Sequence, residues 1–369
     1  MEDVRGGDGE VRCLLQDRRG RRKELLLTFE SAASGRLARL CVRPILPDSV
    51  EVRTPRPDDL PAMTQLELSA PVRREDGTEV VIDHNSKQFE HASVVSDHRW
   101  LAAFEDGRMV AVQGVALVTA PIGGVMQRIA YNHYSRSDPQ NRQSGYHIGI
   151  LLTLYRDIFP AIDQFLSMVD VHNTAGLRLS FGEPWPTRVR RMFLPVEALT
   201  RRRASPPPHR AFDFQHAAAL LNATHQGMNL WVPRTADFLA ARQNRAPSVY
   251  GPTCWRLTDH AALAVWPSGE RRTYRKNGDQ TVRTMALALD YGFTGERGRD
   301  ELTGLLCQAA EELLGQGISH IAIFVSDDHP PTQWLADLAD ASDTYAVCAP
   351  VLERPAPPAG PVYIDHLIF

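Results

Sequence analysis

Tyr131 and His133 stand two residues apart in Ile129-Ala-Tyr-Asn-His-Tyr-Ser, a run with strand character. The two-residue period of a strand puts both side chains, and that of Ser135, on one face, with Tyr134 opposite. Histidine has the ordinary pKa that a general base needs near neutrality. Asp138-Pro139 then marks a turn, and a short polar segment carries Arg142 and Gly145. Ile150-Leu-Leu-Thr-Leu-Tyr155 reads as the start of a helix. Strand, tight loop and helix N-terminus in that order make an anion site, because the first helical N–H groups have no partner inside the helix. A phosphate held in the loop, beside a strand that offers a base, is the chemistry this stretch predicts.

The elements around it follow an alternating pattern. Val50-Glu-Val-Arg-Thr is a short strand, and Pro57-Asp-Asp-Leu-Pro begins a helix with acidic residues in its first turn. Asp106-Gly107 joins two apolar runs as a two-residue hairpin. Phe165-Leu-Ser-Met-Val-Asp-Val is a strand ending at Asp170 and His172, Asn173-Thr-Ala-Gly-Leu-Arg-Leu a short helix, and Arg188-Val-Arg-Arg-Met-Phe-Leu-Pro a closing strand. Residues 65 to 96 carry no assignable pattern. Thr200 to His209 is charged and Pro-rich, a linker without aromatic residues.

The same order recurs after the linker. Helices are expected from Phe212 and from Pro233, strands at Cys254-Trp-Arg-Leu, Ala261 to Trp266 and Thr284 to Tyr291, and a turn at Asn277-Gly278. An amphipathic helix runs from Leu302 to Leu314, a buried strand follows at Ile318 to Val325, then a helix at Thr332 and a terminal strand from Val362. Two halves with one element order suggest a duplicated fold. Ser326-Asp-Asp-His329 is polar and reads either as a site lining or as a helix start. Before both halves, residues 1–47 hold three short apolar runs that suit a small antiparallel meander.

Bulk properties narrow the function class. A length of 369 residues favours two domains, and 43% hydrophobic with 23% charged residues is ordinary for a globular protein. A formal net charge of -3 argues against a general nucleic-acid binder. The five cysteines are scattered with no CxxC or Cys/His ligand spacing, so no disulfide framework or metal site is expected, and a cytoplasmic setting fits. Neither a signal peptide nor a membrane span is expected, the most apolar window being broken by Gln113, Gly114 and Pro121.

Asp138-Pro139-Gln140-Asn141-Arg142-Gln143-Ser144-Gly145-Tyr146-His147 resembles the pyrophosphate-binding motif of the GNAT superfamily of N-acyltransferases, with Arg142 and Gly145 in register. Asn173-Thr-Ala-Gly-Leu-Arg-Leu-Ser180 is similar to that family's later helix, and Val52 to Pro61 to its opening strand and helix. The resemblance covers about residues 50–197, with a weaker echo from about 211 to the end. It implies an α/β fold of the α+β type: two GNAT-like domains in tandem, each a central mixed, mostly antiparallel sheet flanked by helices, plus the small N-terminal β segment. The domains expected are 48–199, with the acyltransferase site, and 211–369, a degenerate copy, joined by the linker 200–210.

The resemblance also implies the site. Acetyl-CoA or another acyl-CoA, or an acyl carrier protein with the same phosphopantetheine arm, would be held by Ser135, Arg136, Ser137, Arg142, Gln143, Ser144, Gly145, Tyr146, His147, Ile148 and Asn173. His133 would act as base, directly or through water, with Tyr131 as proton donor or orienting group. The acceptor would be an amine of a small molecule or peptide. Two departures stand out: His147 replaces a small residue of the motif, and Ser180 stands where the family often has a tyrosine. Two further readings are an aminoacyl-tRNA-dependent amide-forming enzyme, disfavoured by the acidic charge, and a non-catalytic GNAT-fold scaffold. In the second half Gly292-Phe-Thr-Gly-Glu-Arg-Gly lacks the motif spacing, so that copy is expected to bind no carrier and to wall the acceptor cleft.

Overall fold

Turn chemistry sets the scaffold. Asp106-Gly107, Gly123-Gly124 and Asn277-Gly278 all have positive φ at both positions (51° and 75°, 58° and 79°, 52° and 91°). That backbone matches the right-handed twist of the strands it joins, and it favours Gly and Asn or Asp. Three hairpins result.

The structure is a computed structural model. It describes the strand backbones within residues 4–44, then residues 49–140, 150, 158, 161–179, 183–202, 208, 210–349 and 360–365. Strands β1 (Val4–Gly7), β2 (Glu10–Gln16), β3 (Arg22–Phe29) and β4 (Leu37–Pro44) form a separate antiparallel meander in the order β1-β2-β3-β4. The expected N-terminal β segment is therefore present, with one strand more than its apolar runs suggested.

Along the rest of the chain come β5 (Val50–Arg53), α1 (Leu60–Ser69), β6 (Val72–Arg73), β7 (Glu79–Asp83), α2 (Gln88–Ser93), β8 (His98–Glu105), β9 (Arg108–Ile122) and β10 (Val125–Ser137). Next are β11 (Gln164–Asp170), α3 (Thr174–Leu179), β12 (Glu183–Pro195), α4 (Val196–Arg201), α5 (Phe214–His225), α6 (Ala236–Arg245) and α7 (Pro247–Tyr250). The chain continues through β13 (Trp255–Leu257), β14 (Ala261–Lys276), β15 (Asp279–Phe293), α8 (Gly295–Leu313), β16 (His320–Ser326), α9 (Pro331–Ala336) and β17 (Ala341–Ala349). The unassigned stretch 65–96 thus holds the end of α1, the short strands β6 and β7, and α2. Its strands are too brief for periodicity to show. The terminal strand expected from Val362 is, over its described part, a single bridge between Val362 and Asn229.

The chain forms two compact units, one of residues 1–70, 99–114 and 134–160, the other of residues 71–98, 115–133 and 161–369. In the first, β5 pairs antiparallel with β8, from Val50↔Glu105 to Arg53↔Ala102. Arg53 binds Asp59 through both of its terminal nitrogens, at 2.6 and 2.9 Å, and lies 3.9 Å over the Phe104 ring.

The second unit carries a large, mostly antiparallel sheet in the order β9-β10-β11-β17-β12-β16-β15-β14-β7-β6. The order reads as a palindrome about its centre. A long hairpin, a parallel neighbour and a crossing strand occur twice: β9-β10, β11 and β12 before the linker, β14-β15, β16 and β17 after it. The closing strands are exchanged, so β17 lies between β11 and β12, and β12 between β17 and β16. The two halves are duplicates that share one sheet.

Alternation along the central strands explains why helices cover both faces. Ala262, Ala264 and Trp266 of β14 and Leu287 and Leu289 of β15 pack with Leu221 of α5 and Leu239 of α6. Their neighbours Leu263, Val265, Ala286 and Ala288 pack instead with Leu302, Leu305 and Leu306 of α8. Each such leucine contributes about 1.5–3 kcal/mol on burial.

At the palindrome's centre is a charge network. Arg191 of β12 forks onto Glu270 of β14 through two 2.8 Å bonds, both residues being buried. Arg272 joins Glu270 at 3.0 Å to Asp343 at 2.9 Å, and Arg74 joins Asp343 to Asp170 at 2.6 Å each. Burial alone would raise the Glu270 pKa, but Arg191 and Arg272 outweigh it and hold the carboxyl well below its ordinary range. The network joins strands from both halves.

Candidate active site

Strand β10 is held on one side by the Gly123-Gly124 hairpin and on the other by β11. The parallel pairing with β11 runs only from Ile129↔Gln164 to Asn132↔Ser167. Beyond it, β11 pairs with β17 through Asp170↔Tyr345. Strands β10 and β11 therefore part at the position of His133. The duplicate pair does the same: β15 and β16 pair from Met285↔His320 to Leu287↔Ala322 and then separate.

Tyr131 points into the core of the second unit, 4% exposed, among Ile129, Leu166 and Met168. It lines a cavity of about 250 Å³. One wall of that cavity comes from β9 and β10 and from Val94 to Ser96, and the facing wall from Leu230, Val232, α6 and residues 363–365. Both halves of the chain thus contribute to it. Burial first, then the nearby Asp365 carboxylate and Cys348, holds the Tyr131 phenol well above its usual pKa, so the proton stays on.

His133 lies in the same strand but does not line the cavity. Burial, reinforced by His91, His98 and His84, pulls its pKa down to about 3. The imidazole is therefore neutral at physiological pH. His91 is lowered to about 4 in the same way, by burial and then by His84, and stacks on Trp266 at 5.7 Å. Among the described residues no group of three or more His, Cys, Asp or Glu is arranged to hold a metal ion. At Tyr134 the backbone turns left-handed, φ 47°, and its ring meets Trp100 at 5.1 Å. This interrupts the two-residue alternation before Ser135.

Further along β10, Arg136 donates to the Ser135 carbonyl at 2.9 Å, and Ser137 ends the strand. Asp138 is buried; it accepts from Arg108 at 2.5 Å and from the Gln140 N–H at 2.9 Å, fixing the turn at Pro139. Arg142, Gln143, Ser144, Gly145, Tyr146, His147 and Ile148 lie outside the described residues, as does Ser180. Asn173 caps α3: its Oδ1 accepts from the Gly176 N–H at 2.9 Å. A Cβ on Gly176 would sit 2.6 Å from the Asn173 amide nitrogen, so that glycine leaves room for the cap.

The cavity's polar corner was not foreseen. Arg234 and Arg242 are buried, and both donate to Asp365, Arg234 at 3.0 Å. Arg234 also donates to Asp290 at 3.2 Å, which in turn accepts from Tyr250 and from Tyr363, the latter at 2.9 Å. Arg245, one turn along α6 from Arg242, donates to the Val94 carbonyl at 3.1 Å. The spacing Arg242–Arg245 puts two guanidiniums on one helix face, a signal the sequence does carry. What it lacks is the partner, Asp365, more than a hundred residues away.

Leu230 holds the cavity's far wall in an unusual backbone state, φ 65°, which costs a branched residue energy. Its neighbour Asn229 over-determines it. The Asn229 side chain accepts from the Gly123 N–H at 2.9 Å, its backbone N–H donates to Pro361 at 3.0 Å, and its carbonyl accepts from Tyr363 at 2.9 Å. The hairpin tip, the 229–232 segment and the 361–363 segment are locked together there.

The second parting of strands is filled. Tyr291 Oη of β15 donates across it to the Phe324 carbonyl of β16 at 3.4 Å. His225 donates to the Tyr291 carbonyl at 2.8 Å and packs 5.3 Å from the His329 ring and 4.9 Å from Tyr363. His329 reaches the Thr224 carbonyl at 3.0 Å, and Ser326 Oγ accepts from the Val362 N–H at 3.0 Å. The polar stretch Ser326 to His329 ties α5 and the chain's end to β16.

No family model matches the sequence, and no curated protein matches it in a sequence comparison. Solved structures do match in fold. The crystal structure of Saccharomyces cerevisiae N-myristoyltransferase with bound myristoyl-CoA aligns with a TM-score of 0.58 at 11% identity, over 85% of this chain and 85% of that one. A second crystal structure of that enzyme with myristoyl-CoA gives 0.58 at 13% identity over 85% and 81%. A third, with myristoyl-CoA and inhibitors, gives 0.55 at 12% identity over 85% and 82%. The chain has the GNAT fold in tandem, as its sequence resemblance implied.

Proposed function

We propose that this protein is an N-acyltransferase that moves an acyl group from a pantetheine thioester to an amine. The observation that carries the reading is the tandem fold, shared over most of both chains with an enzyme whose structures hold myristoyl-CoA. Acyl-CoA is the donor in this reading, acetyl-CoA and longer chains being open, and a carrier protein presenting the same arm is equally compatible with the motif. Residues Ser135 to Ser137 and Arg142 to Ile148 hold the donor's phosphates and arm; Asn173 shapes the helix after β11.

Tyr131 and His133 divide the proton work. The acceptor amine must arrive uncharged, since His133 is too weak a base to take a proton from an ordinary ammonium group. As the nitrogen bonds to the thioester carbonyl carbon it becomes strongly acidic, and the neutral imidazole then accepts its proton, directly or through water. The carbon–sulfur bond breaks, and Tyr131, still a phenol, supplies a proton to the leaving thiolate or orients it. Residues 48–199 carry the donor side, and residues 211–369 act as the copy that walls the acceptor cavity.

Thermal denaturation with and without saturating coenzyme A tests the donor half. A ligand that binds only the folded chain raises its melting temperature. Gly145→Glu should abolish that rise through bulk and like charge; a retained rise would remove the loop from the reading. His133→Ala should lower release of free thiol from an acyl-CoA panel, acetyl to myristoyl, while leaving the coenzyme A shift intact. Unchanged turnover would take His133 out of the mechanism.

A further inference from the structure

We propose that the cavity beside Tyr131 receives an amine that also bears a carboxylate, an acceptor of amino-acid type with an apolar body. The inference rests on the acyl-transfer reading only for the word acceptor; the binding chemistry stands on the cavity itself. Most of the lining is aliphatic, from Leu117, Val118, Ile129 and Val232. One corner is charged and lacks an anion. There Arg234, Arg242 and Arg245 meet the carboxylates of Asp365 and Asp290 alone, three cations against two anions.

The tyrosines of that corner do not close the gap. Burial first, and then Asp290, keeps Tyr250 and Tyr363 well above their usual pKa, so both stay neutral. Arg245 has no carboxylate partner among the described residues; its hydrogen bond goes to a carbonyl. Burial and the neighbouring Arg242 make its charge less favourable than in water. Nε of Arg234, and Nε and Nη1 of Arg242, are buried without a hydrogen-bond acceptor among the described residues. Buried donors left unpaired are costly, and a ligand carboxylate that draws the guanidiniums toward itself recovers that energy.

Size and electrostatics agree on the rest of the ligand. About 250 Å³ falls below the roughly 300–1,000 Å³ of pockets for drug-sized molecules, which suits one amino-acid-sized body. An excess of positive charge within an aliphatic wall disfavours an ammonium group. The same corner that binds the carboxylate therefore helps deliver the amine uncharged, the form that attack on a thioester needs.

Matched pairs of probes test this on the full chain. Leucine against isoamylamine, and phenylalanine against phenethylamine, differ only by the carboxylate. The amino acids should give a saturable rise in melting temperature, and the plain amines at equal concentration should give none. Arg245→Gln, a change at an exposed side chain, should weaken the amino-acid response at least tenfold. Arg242→Lys, which keeps the charge, should lower it less than Arg242→Met. Coenzyme A is titrated in parallel with each variant as a check on folding and on the donor site. Equal responses to both members of a pair, no response to either, or an unaltered Arg245→Gln response overturns the proposal. An amino-acid response without a coenzyme A response would instead keep this cavity and refute the acyl-transfer reading.

Discussion

The two strand-to-helix junctions of this chain share an ancestry of form and differ in what stands behind the turn. In the first half β10 ends at Ser137, and the chain is helical again by Ile150. In the second half Thr294 alone separates β15 from α8. That second junction is rich in glycine, yet its glycines serve close packing. A Cβ on Gly292 would lie 2.6 Å from the Leu221 backbone nitrogen, and one on Gly298 would lie 2.5 Å from the His260 carbonyl oxygen. Thr294 also donates to that His260 carbonyl at 3.0 Å. A glycine-bearing helix start thus cradles an anion only where nothing else occupies the space the glycine opens.

The hardest blow to this comparison would fall on the frame that both junctions share. Arg191→Met strips the buried Glu270 carboxylate of its forked partner and should cost about 3–5 kcal/mol in urea denaturation. A loss under about 1 kcal/mol, within the range of exposed pairs, would mean that the network does not hold the halves together.

Gly298→Ala tests the seal itself. In an exposed helix the change gains about 1 kcal/mol. Here, against a fixed carbonyl, overpacking should reverse the sign and destabilise by about 1–3 kcal/mol. A neutral or stabilised variant would show the second junction to be open.

Acid should act on the first half's side of the comparison. His133 and His91 have folded pKa values of about 3 and about 4, below the ordinary 6.5, so the unfolded chain binds protons that the folded chain refuses. Their contribution is fully present above pH 6.5 and is lost as the pH falls towards 4 for His91 and 3 for His133. Each histidine should add about 1.4 kcal/mol of lost stability per pH unit in that window. Urea titrations at stepped pH would read it, and His133→Gln should remove one proton's worth of slope; an unchanged slope would show that His133 titrates normally.

The smallest effect separates strain from binding. Gly295 has φ 63° with open space around it, so Gly295→Ala should cost about 1 kcal/mol through backbone conformation alone. It should leave any coenzyme A response untouched, where Gly145→Glu abolishes it. Loss of the response in Gly295→Ala would place a carrier site in the second copy.

Much of the scaffold was legible because its signals are local. Asp106-Gly107 and Asn277-Gly278 announce hairpins by residue type, and the alternating runs of β14 to β16 announce buried strands. The start of α8 was misjudged by two turns, since Gly295-Glu-Arg-Gly looks like a loop until its glycines are seen against His260 and Phe293. At the site, Tyr131 and the base candidate His133 follow from strand period and side-chain chemistry. The cavity's charged corner does not, because Arg234, Arg242 and Asp365 acquire meaning only through contacts between distant segments. The exchange of β12 and β17 leaves no local trace either.

That exchange has a consequence for how the chain is made. β12 is complete at Pro195, but β17, which must enter beside it, begins at Ala341. At 5–20 residues per second the ribosome needs on the order of 10 s to bridge that gap. Throughout it, the nascent first copy holds β11 and β12 with unpaired edges, a template for aggregation. A chain stopped before residue 341 should therefore emerge from cells as insoluble material requiring chaperones. Recovery of a soluble, monomeric first copy from such a truncation would show that the closing strand is dispensable.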